Sequence, residues 1–146
     1  MKKIYISDEE VKGLTQEVIR QLVMTNFVPD LVVGLSRGGL VPANYISQFF
    51  DCGFYALNKE EEFPDLDEVG NILIVDDIND TGKTFTDVNN DLSLLGIQVR
   101  YAALLDNIGS DFTVDYFGRE IDKVKEPSWV VFPWEDWWKP IPKDDT

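Results

Sequence analysis

The segment that most constrains this chain is a short apolar run that leads directly into two acids, a tight turn and a glycine. It spans residues 72–84 and reads Ile-Leu-Ile-Val-Asp-Asp-Ile-Asn-Asp-Thr-Gly-Lys-Thr. Four consecutive apolar residues are typical of a strand that is buried on both faces of a parallel sheet. We predict a strand over 72–75, a loop over 76–81, and a helix opened by the Thr-Gly-Lys-Thr of residues 81–84.

Apolar strand patterns and amphipathic helix patterns alternate along the rest of the chain. Ser7 and Glu10 have the spacing of a capping box, which marks the start of a first helix. The predicted amphipathic helices span about 8–25, 40–50 and 85–95, and the predicted strands span 31–35, 53–57, 72–75, 99–105 and 114–117. Strands that alternate with helices indicate an α/β fold: one domain over residues 1–146, with a mainly parallel five-stranded sheet flanked by helices. Ligands of such folds bind beyond the carboxyl ends of the strands.

Composition excludes several classes of function. The chain has 27 acids against 13 bases, a formal net charge of −14, no histidine and one cysteine, Cys52. An acidic surface repels nucleic acid and anionic membranes, so we expect neither as a partner. The absence of histidine excludes histidine triads and histidine general bases, and a single cysteine builds no internal disulfide. No apolar run approaches the roughly 18 residues of a membrane span, and no signal region is visible, so we expect a cytoplasmic location.

The loop after the apolar run has the chemistry of a phosphate and sugar site. Backbone N–H groups at a helix start bind anions, and the helix dipole favours negative charge there. Gly82 lets the backbone approach a ligand closely, and Thr81 and Thr84 add hydroxyl donors. Asp76 and Asp77 would repel a phosphate, so we expect them to face sugar hydroxyls or a divalent cation. Phosphate donors beside acceptors for a diol describe a site for a ribose 5-phosphate.

Other interpretations of the same loop fit less well. Gly82-Lys83-Thr84 is similar to the end of a Walker A loop, but that motif requires a glycine five residues earlier, where this chain has Asp77. Phosphorylation-receiver domains also place two acids after a strand, but they lack this phosphate-binding turn. An ordinary acidic loop with a glycine near the helix start remains the simplest alternative.

The whole segment 72–84 resembles the phosphoribosyl diphosphate signature of the type I phosphoribosyltransferases. Residues 34–42, Gly-Leu-Ser-Arg-Gly-Gly-Leu-Val-Pro, resemble the diphosphate-binding loop of the bacterial xanthine-guanine branch. Asp115-Tyr116 and residues 129–135, Trp-Val-Val-Phe-Pro-Trp-Glu, resemble the base-binding end of that branch and of archaeal relatives. The resemblance covers residues 31–135 and implies the type I phosphoribosyltransferase fold with a short C-terminal hood, nearest to the xanthine-guanine and hypoxanthine enzymes.

The resemblance also implies an activity. The family transfers the 5-phosphoribosyl group of phosphoribosyl diphosphate to a nucleobase and releases diphosphate, with Mg²⁺ as cofactor. A purine acceptor, a role in nucleotide salvage, and a homo-oligomer of two or more chains are the corresponding expectations. Two alternatives stay open. One is a non-catalytic relative that binds phosphoribosyl diphosphate or a nucleotide and signals through a partner protein, and the other is a transferase for adenine or a pyrimidine.

Site roles follow from the resemblance, residue by residue. Asp76 and Asp77 would hold the ribose hydroxyls, with Asp77 nearest the metal, and residues 81–84 would bind the 5′-phosphate. Asp80 matches the acid/base candidate beside the purine nitrogen N7. Aspartate is also a good helix N-cap, so capping is the alternative role for Asp80.

Two further segments would complete the site. Ser36, Arg37 and Gly38 would receive the diphosphate, in a loop that often contains a cis peptide bond in this family; a surface salt bridge is the alternative for Arg37. In the C-terminal segment, residues 118–146, three residues would bind the base. Trp129 would stack on it, Val130 would offer a backbone carbonyl, and Glu135 would accept from an exocyclic amine. An aromatic core or a subunit contact is the alternative for the tryptophans of this segment.

The chain departs from the family pattern in two places. Purine-specific members have a lysine at the end of the fourth predicted strand, and here that position aligns with Asp106. A carboxylate would suit the 6-amino group of adenine better than a 6-oxo group, although Asn107 could serve a carbonyl. The expected hood loop, residues 58–70, is short and strongly acidic. Such a loop repels diphosphate unless Mg²⁺ intervenes, or else it is an unrelated solvated loop.

Overall fold

The computed structural model describes residues 1–58 and 60–142, which form seven strands and three helices. In chain order these are β1 Lys2–Tyr5, α1 Asp8–Met24, β2 Leu31–Leu35, α2 Leu40–Phe50, β3 Gly53–Leu57, β4 Ile72–Asn79, α3 Lys83–Leu94, β5 Arg100–Asn107, β6 Tyr116–Ile121 and β7 Ser128–Val131. None of the helices in the described part of the chain is long and apolar enough to cross a membrane.

Five strands form one sheet in the order β3-β2-β4-β5-β6, and every neighbouring pair is parallel. Side chains of β4 alternate between the two faces of this sheet. Ile74 packs on the face that α3 covers, together with Phe85, whereas Val75 packs on the face that α1 and α2 cover, together with Ile46. The α/β class, the five parallel strands and the helices on both faces are confirmed.

Local sequence signals account for the helix and strand boundaries in the first half of the chain. The capping box before α1 is present: Ser7 Oγ accepts from the Glu10 backbone N–H at 3.1 Å, and the Glu10 carboxylate accepts from the Ser7 N–H at 3.3 Å. The bounds predicted for β2, α2 and β3 agree with those observed. These elements are short and bounded by glycine, proline or a cap, which are signals of short range.

The predicted loop over 76–81 is wrong for its first four residues, because β4 continues through Asn79. The extension is paired with β5, where Ile78 lies opposite Leu105 and Asn79 lies opposite Asp106. A partner strand that runs equally far supplies the hydrogen-bond ladder, and this overrides the poor strand propensity of aspartate and asparagine. β5 and β6 likewise end later than predicted. The two acids at 76 and 77 are therefore held in a rigid strand.

A second, two-stranded sheet was not predicted. β1 and β7 pair in parallel, with Lys3 opposite Trp129 and Tyr5 opposite Val131. Each of these strands has only four residues, and the two come from opposite ends of the chain. No local pattern could reveal the pairing, because each strand is stabilised mainly by its distant partner. The pairing matters for the site, since β7 carries Trp129.

Candidate active site

Two cavities open side by side at the carboxyl end of β4. The larger has a volume of about 580 Å³ and the smaller a volume of about 170 Å³. Asp77, Ile78 and Asp80 line both of them, so the cavities meet along the tip of this strand. One elongated ligand could therefore occupy both cavities at once.

The two adjacent carboxylates at this tip face opposite sides of the sheet, as strand geometry requires. Asp76 follows Ile74 by two residues, lies on the α3 side, and lines the smaller cavity. Asp77 follows Val75 by two residues, lies on the α2 side, and faces Gly38. The backbone N–H of Asp77 donates to Asp76 Oδ1 at 2.8 Å, which ties the two together.

The surroundings of Asp77 favour a bound cation. Burial raises the pKa of Asp77, a hydrogen bond with Asp76 lowers it, and the negative charge of Glu135 raises it. Mg²⁺ is commonly held by one or two carboxylates together with substrate phosphates and water. Among residues 1–58 and 60–142, no group of three or more acidic, histidine or cysteine side chains is arranged to hold a metal alone. The carboxylate of Asp77 fits a Mg²⁺ ion that a substrate helps to hold.

Gly82 shapes the smaller cavity and is the residue before α3. Its φ is +92°, a conformation that glycine adopts without steric cost. A Cβ at this position would lie 2.6 Å from the Phe112 backbone nitrogen and 2.7 Å from Ser110 Oγ. Only glycine fits, and the first N–H groups of α3 are thereby presented to the cavity.

Hydroxyl groups and a lysine surround the same turn. The Lys83 backbone N–H donates to Thr81 Oγ1 at 3.3 Å, and the Thr81 carbonyl accepts from the Asp111 N–H at 3.0 Å. Thr84 also lines the cavity. The Lys83 ammonium group lies along the outside of α3, where it pairs with Asp87 at 2.9 Å. The N–H groups and threonine hydroxyls of the turn, rather than this ammonium group, are therefore the donors that we expect an anion to meet.

The loop between β2 and α2 reaches the larger cavity from the other side. The peptide bond between Ser36 and Arg37 is cis, as the family resemblance implied. The Ser36 N–H donates to the Leu57 carbonyl at 2.8 Å, which anchors the start of the loop to β3. Arg37 and Gly38 line the larger cavity. Within residues 1–58 and 60–142, Arg37 forms no ion pair, so its exposed guanidinium group can meet an anionic ligand.

The C-terminal segment forms the far wall of the larger cavity. Trp129 lies on β7 with 54% of its surface exposed, which leaves a ring face open for stacking. Val130 is buried next to it, and Glu135 Oε1 accepts from the Phe132 N–H at 3.2 Å. Trp134, Asp136 and Trp138 also line this wall, and none of the three was predicted to bind the base. The predicted segment 118–146 extends past the described residues at 143–146.

Comparison with known proteins identifies the family. A family model described as the phosphoribosyl transferase domain matches residues 2–137. The chain belongs to this family. It is 30% identical to the xanthine-guanine phosphoribosyltransferase of Cereibacter sphaeroides over 120 residues, which covers 71% of this chain and 68% of that relative. It is 25% identical to the enzyme of the same name from Idiomarina loihiensis, with 92% of this chain and 88% of that relative covered.

A solved structure agrees with the sequence comparison. The crystal structure of a purine phosphoribosyltransferase from Pyrococcus horikoshii superposes with a TM-score of 0.79 at 27% identity, and covers 98% of this chain and 99% of that one. The type I phosphoribosyltransferase fold is therefore confirmed over nearly the whole chain. Phosphoribosyltransferases generally use Mg²⁺, which agrees with the oxygen ligands at the tip of β4.

In this phosphoribosyltransferase, the two residues that end β5 are engaged with protein groups. Asp106 Oδ1 accepts from the side-chain amide of the buried Asn79 at 2.9 Å. Asn107 Nδ2 donates to the Asp80 carbonyl at 2.9 Å, and Asn107 Oδ1 accepts from the Lys123 N–H at 3.1 Å. Asp106 is not among the described residues that line the larger cavity, so the structure does not bring it to the rest of the candidate base site.

Sequence reasoning did not identify Lys123, which lies in that cavity. Its ammonium group is 2.9 Å from Asp80 Oδ2 and 5.9 Å from the centroid of the Trp129 ring. Lys123 and Asp80 are 43 residues apart in the chain, so no local motif joins them. The available signal was its position: a basic residue in a markedly acidic chain, between the predicted fifth strand and the segment that resembles a base-binding end.

The acidic loop over residues 58–70 is anchored more firmly than its composition predicted. Leu66 is only 4% exposed, and Phe63 and Val69 pack against the same core. The three-residue spacing of these apolar side chains is the signal that the surrounding acids obscured. The loop and α3 enclose a third cavity of about 340 Å³, to which Glu61 contributes a carboxylate. Residue 59 lies outside the described residues.

Proposed function

We propose that this protein is a purine phosphoribosyltransferase of nucleotide salvage. It transfers the 5-phosphoribosyl group of phosphoribosyl diphosphate to a purine nitrogen and releases diphosphate. The observation that carries this proposal is the pair of joined cavities at the tip of β4, with Asp77, Ile78 and Asp80 at their junction. One cavity suits a phosphate and the other suits a flat base, and a ribose is the right link between them.

The expected orientation of the substrate follows from the chemistry of each wall. The 5′-phosphate would bind the N–H groups and hydroxyls of residues 81–84, where the dipole of α3 favours negative charge. The ribose hydroxyls would donate to Asp76 and Asp77. The purine would stack on the open face of Trp129, with the Val130 carbonyl and Glu135 as acceptors for its amino or ring N–H groups. Ser36, Arg37 and Gly38 would receive the diphosphate.

Bond exchange at the anomeric carbon defines what each group must do. The bond from this carbon to the diphosphate oxygen breaks, and a bond to the base nitrogen forms, through an oxocarbenium-like sugar. When bound at Asp77, Mg²⁺ would neutralise charge on the diphosphate. Arg37 would stabilise the charge that develops on the departing group, and the loop would hold the sugar in line with the base. We assign Asp80 to accept the proton that the purine loses.

The two alternatives raised by the sequence are not favoured. The curated relatives are named as enzymes, which does not favour a binder without turnover. Asp106 prompted the suggestion of adenine as acceptor, and its carboxylate is engaged with Asn79. Assembly as a homo-oligomer and a cytoplasmic location stay predictions.

The test is diphosphate release from phosphoribosyl diphosphate and Mg²⁺, measured with hypoxanthine, xanthine, guanine and adenine separately and with no base. We expect release that depends on a purine, with the matching nucleoside 5′-monophosphate as product. Binding of phosphoribosyl diphosphate without release for any purine would contradict the proposal and support the non-catalytic alternative.

A further inference from the structure

Lys123 occupies an unusual environment for a lysine. It follows β6, its side chain is only 19% exposed, and it lines the larger cavity beside Asp80 and Trp129. Lysine side chains are mostly exposed in folded proteins, and this one, largely withdrawn from solvent, is paired with Asp80 Oδ2 at 2.9 Å. The ammonium group also lies 5.9 Å from the centre of the Trp129 ring, close to where a stacked base would lie.

One side chain holds both members of this ion pair in place. Asn107 accepts from the Lys123 backbone N–H at 3.1 Å and donates to the Asp80 backbone carbonyl at 2.9 Å. The end of β5 thus fixes the connection after β6 relative to the tip of β4. The position of Lys123 is therefore set by the fold rather than by chance contact of a surface lysine.

The charges of the larger cavity show where an ammonium group is needed. Two cations line it among the described residues, Arg37 and Lys123, and the acids that line it are Asp77, Asp80, Glu135 and Asp136. Arg37 belongs to the loop after β2, on the side of the diphosphate. Lys123 is the cation at the Trp129 end, where the base would bind.

Ammonium chemistry defines which base this end can select. A lysine has three donors and no acceptor, and the contact with Asp80 uses one donor. An exocyclic oxo oxygen on the base can accept one of the others, whereas the exocyclic amine of adenine is itself a donor. Purines with an oxo group at position 6 therefore match this wall, whereas adenine would place its amino donor against the remaining N–H donors of Lys123.

We propose that Lys123 is the base-recognising residue and donates to the 6-oxo group of the purine. It would take the place of the lysine that the family carries at the position of Asp106, whose carboxylate is bound to Asn79. The inference rests on the proposed function and names its substrate class, the 6-oxopurines. Hydrogen bonds to a charged donor suggest a discrimination of roughly 10- to 100-fold against adenine.

The test compares kcat/KM for hypoxanthine and adenine in the intact protein, in Lys123→Met and in Lys125→Met. Lys125 is exposed on the same connection, so its variant makes the same charge change away from the cavity. We expect Lys123→Met to lose the preference for hypoxanthine by roughly 10- to 100-fold without change in the KM for phosphoribosyl diphosphate. Lys125→Met should keep both the preference for hypoxanthine and the KM for phosphoribosyl diphosphate. A retained preference, or an equal loss with both bases, would overturn the inference; the equal loss would mean that Lys123 acts only through Asp80.

A second variant, Lys123→Gln, and a second measurement, nucleotide binding, each test the inference independently of Lys123→Met. Lys123→Gln replaces the ammonium group with an amide that also accepts, so the preference should shrink even if Lys123→Met does not fold. Calorimetry with inosine and adenosine 5′-monophosphates needs no turnover. If no base is turned over, the proposed function fails, but the inference stands if inosine monophosphate binds more tightly and Lys123→Gln reduces the difference. Equal binding of both nucleotides to the unchanged protein would overturn it.

Discussion

The two cavities at the tip of β4 are built in different ways. The smaller is lined by ten consecutive residues, 76–85, which run from the strand into the first turn of α3. The larger takes its lining from four separated parts of the chain: residues 37–38, 77–80, 123 and 129–138. A phosphate site made of one continuous segment can be recognised from sequence, because its geometry is local. A base site assembled from distant segments exists only once the sheet has formed.

The difference extends to what supports each cavity. The turn over residues 81–84, where we propose that the 5′-phosphate binds, is called the phosphate turn here. It is supported by the connection after β5, where Ser110 Oγ donates to Asn79 Oδ1 at 2.9 Å and the Asp111 N–H donates to the Thr81 carbonyl at 3.0 Å. The base wall, the part of the larger cavity formed by residues 129–138 where we propose that the base binds, instead carries exposed aromatic surface, with Trp129 54% and Trp138 63% exposed. The phosphate turn is thus preorganised by hydrogen bonds, whereas the base wall leaves apolar area open for a flat ligand.

Asp80 lines both cavities at the point where they meet, so a substitution there shows whether the two cavities serve different steps. We expect Asp80→Asn to lower kcat by about 10²–10⁴-fold, the range for loss of a general acid or base, because the amide cannot accept the purine proton. Binding of phosphoribosyl diphosphate, followed by calorimetry, should change far less, because the phosphate turn does not depend on this carboxylate. Equal losses in turnover and binding would remove the acid/base role.

Gly82 tests the continuous cavity. We expect Gly82→Ala to weaken phosphoribosyl diphosphate binding and lower kcat/KM by about 100-fold, because a Cβ displaces the turn and small misplacements have effects of that size. Gly96→Ala is the matched control, since Gly96 also has a positive φ, +71°, but has open space around it. That variant should lose some stability and keep its kinetics. If both variants behave alike, backbone strain rather than the shape of the phosphate turn is responsible.

Trp129 tests the assembled cavity. Base stacking on an aromatic ring contributes about 1–3 kcal/mol, so we expect Trp129→Ala to raise the KM for the base by roughly 5- to 150-fold with little change for phosphoribosyl diphosphate. Trp137→Ala is the control, because Trp137 is 75% exposed and is not part of the described lining of either cavity. An unchanged KM for the base in Trp129→Ala would place the base elsewhere.

Asp106 should have the smallest effect on function. Asp106→Ala removes one of the two acceptors of the buried Asn79 side-chain amide, the other being the Phe112 carbonyl, and we expect a loss of about 1–3 kcal/mol in the free energy of unfolding. Asp106→Asn keeps an acceptor oxygen and should be nearly neutral. Denaturant titration measures both changes, and neither variant should alter the preference between hypoxanthine and adenine. A changed preference between the two bases would mean that Asp106 contacts the base after all.

The parts of the fold and site that could be predicted from the sequence all depend on residues that lie close together in the chain. The capping box at Ser7, the bounds of α2 and β3, and the turn at Gly82 each depend on residues a few positions apart. The parts that it missed depend on partners far along the chain. β1 requires β7, the extension of β4 requires β5, and Lys123 requires Asp80. The family resemblance aligns Asp106 with the base-binding lysine, and only the folded chain shows that its carboxylate is bonded to Asn79.

The most direct test of the whole account is a crystal structure of the protein with inosine 5′-monophosphate. The account predicts the phosphate at the N–H groups of residues 81–84, the ribose hydroxyls at Asp76 and Asp77, and the purine on the Trp129 ring. It also predicts the 6-oxo oxygen within hydrogen-bond distance of Lys123 Nζ. A nucleotide that leaves either cavity empty, or whose 6-oxo group faces Asp106, would contradict it.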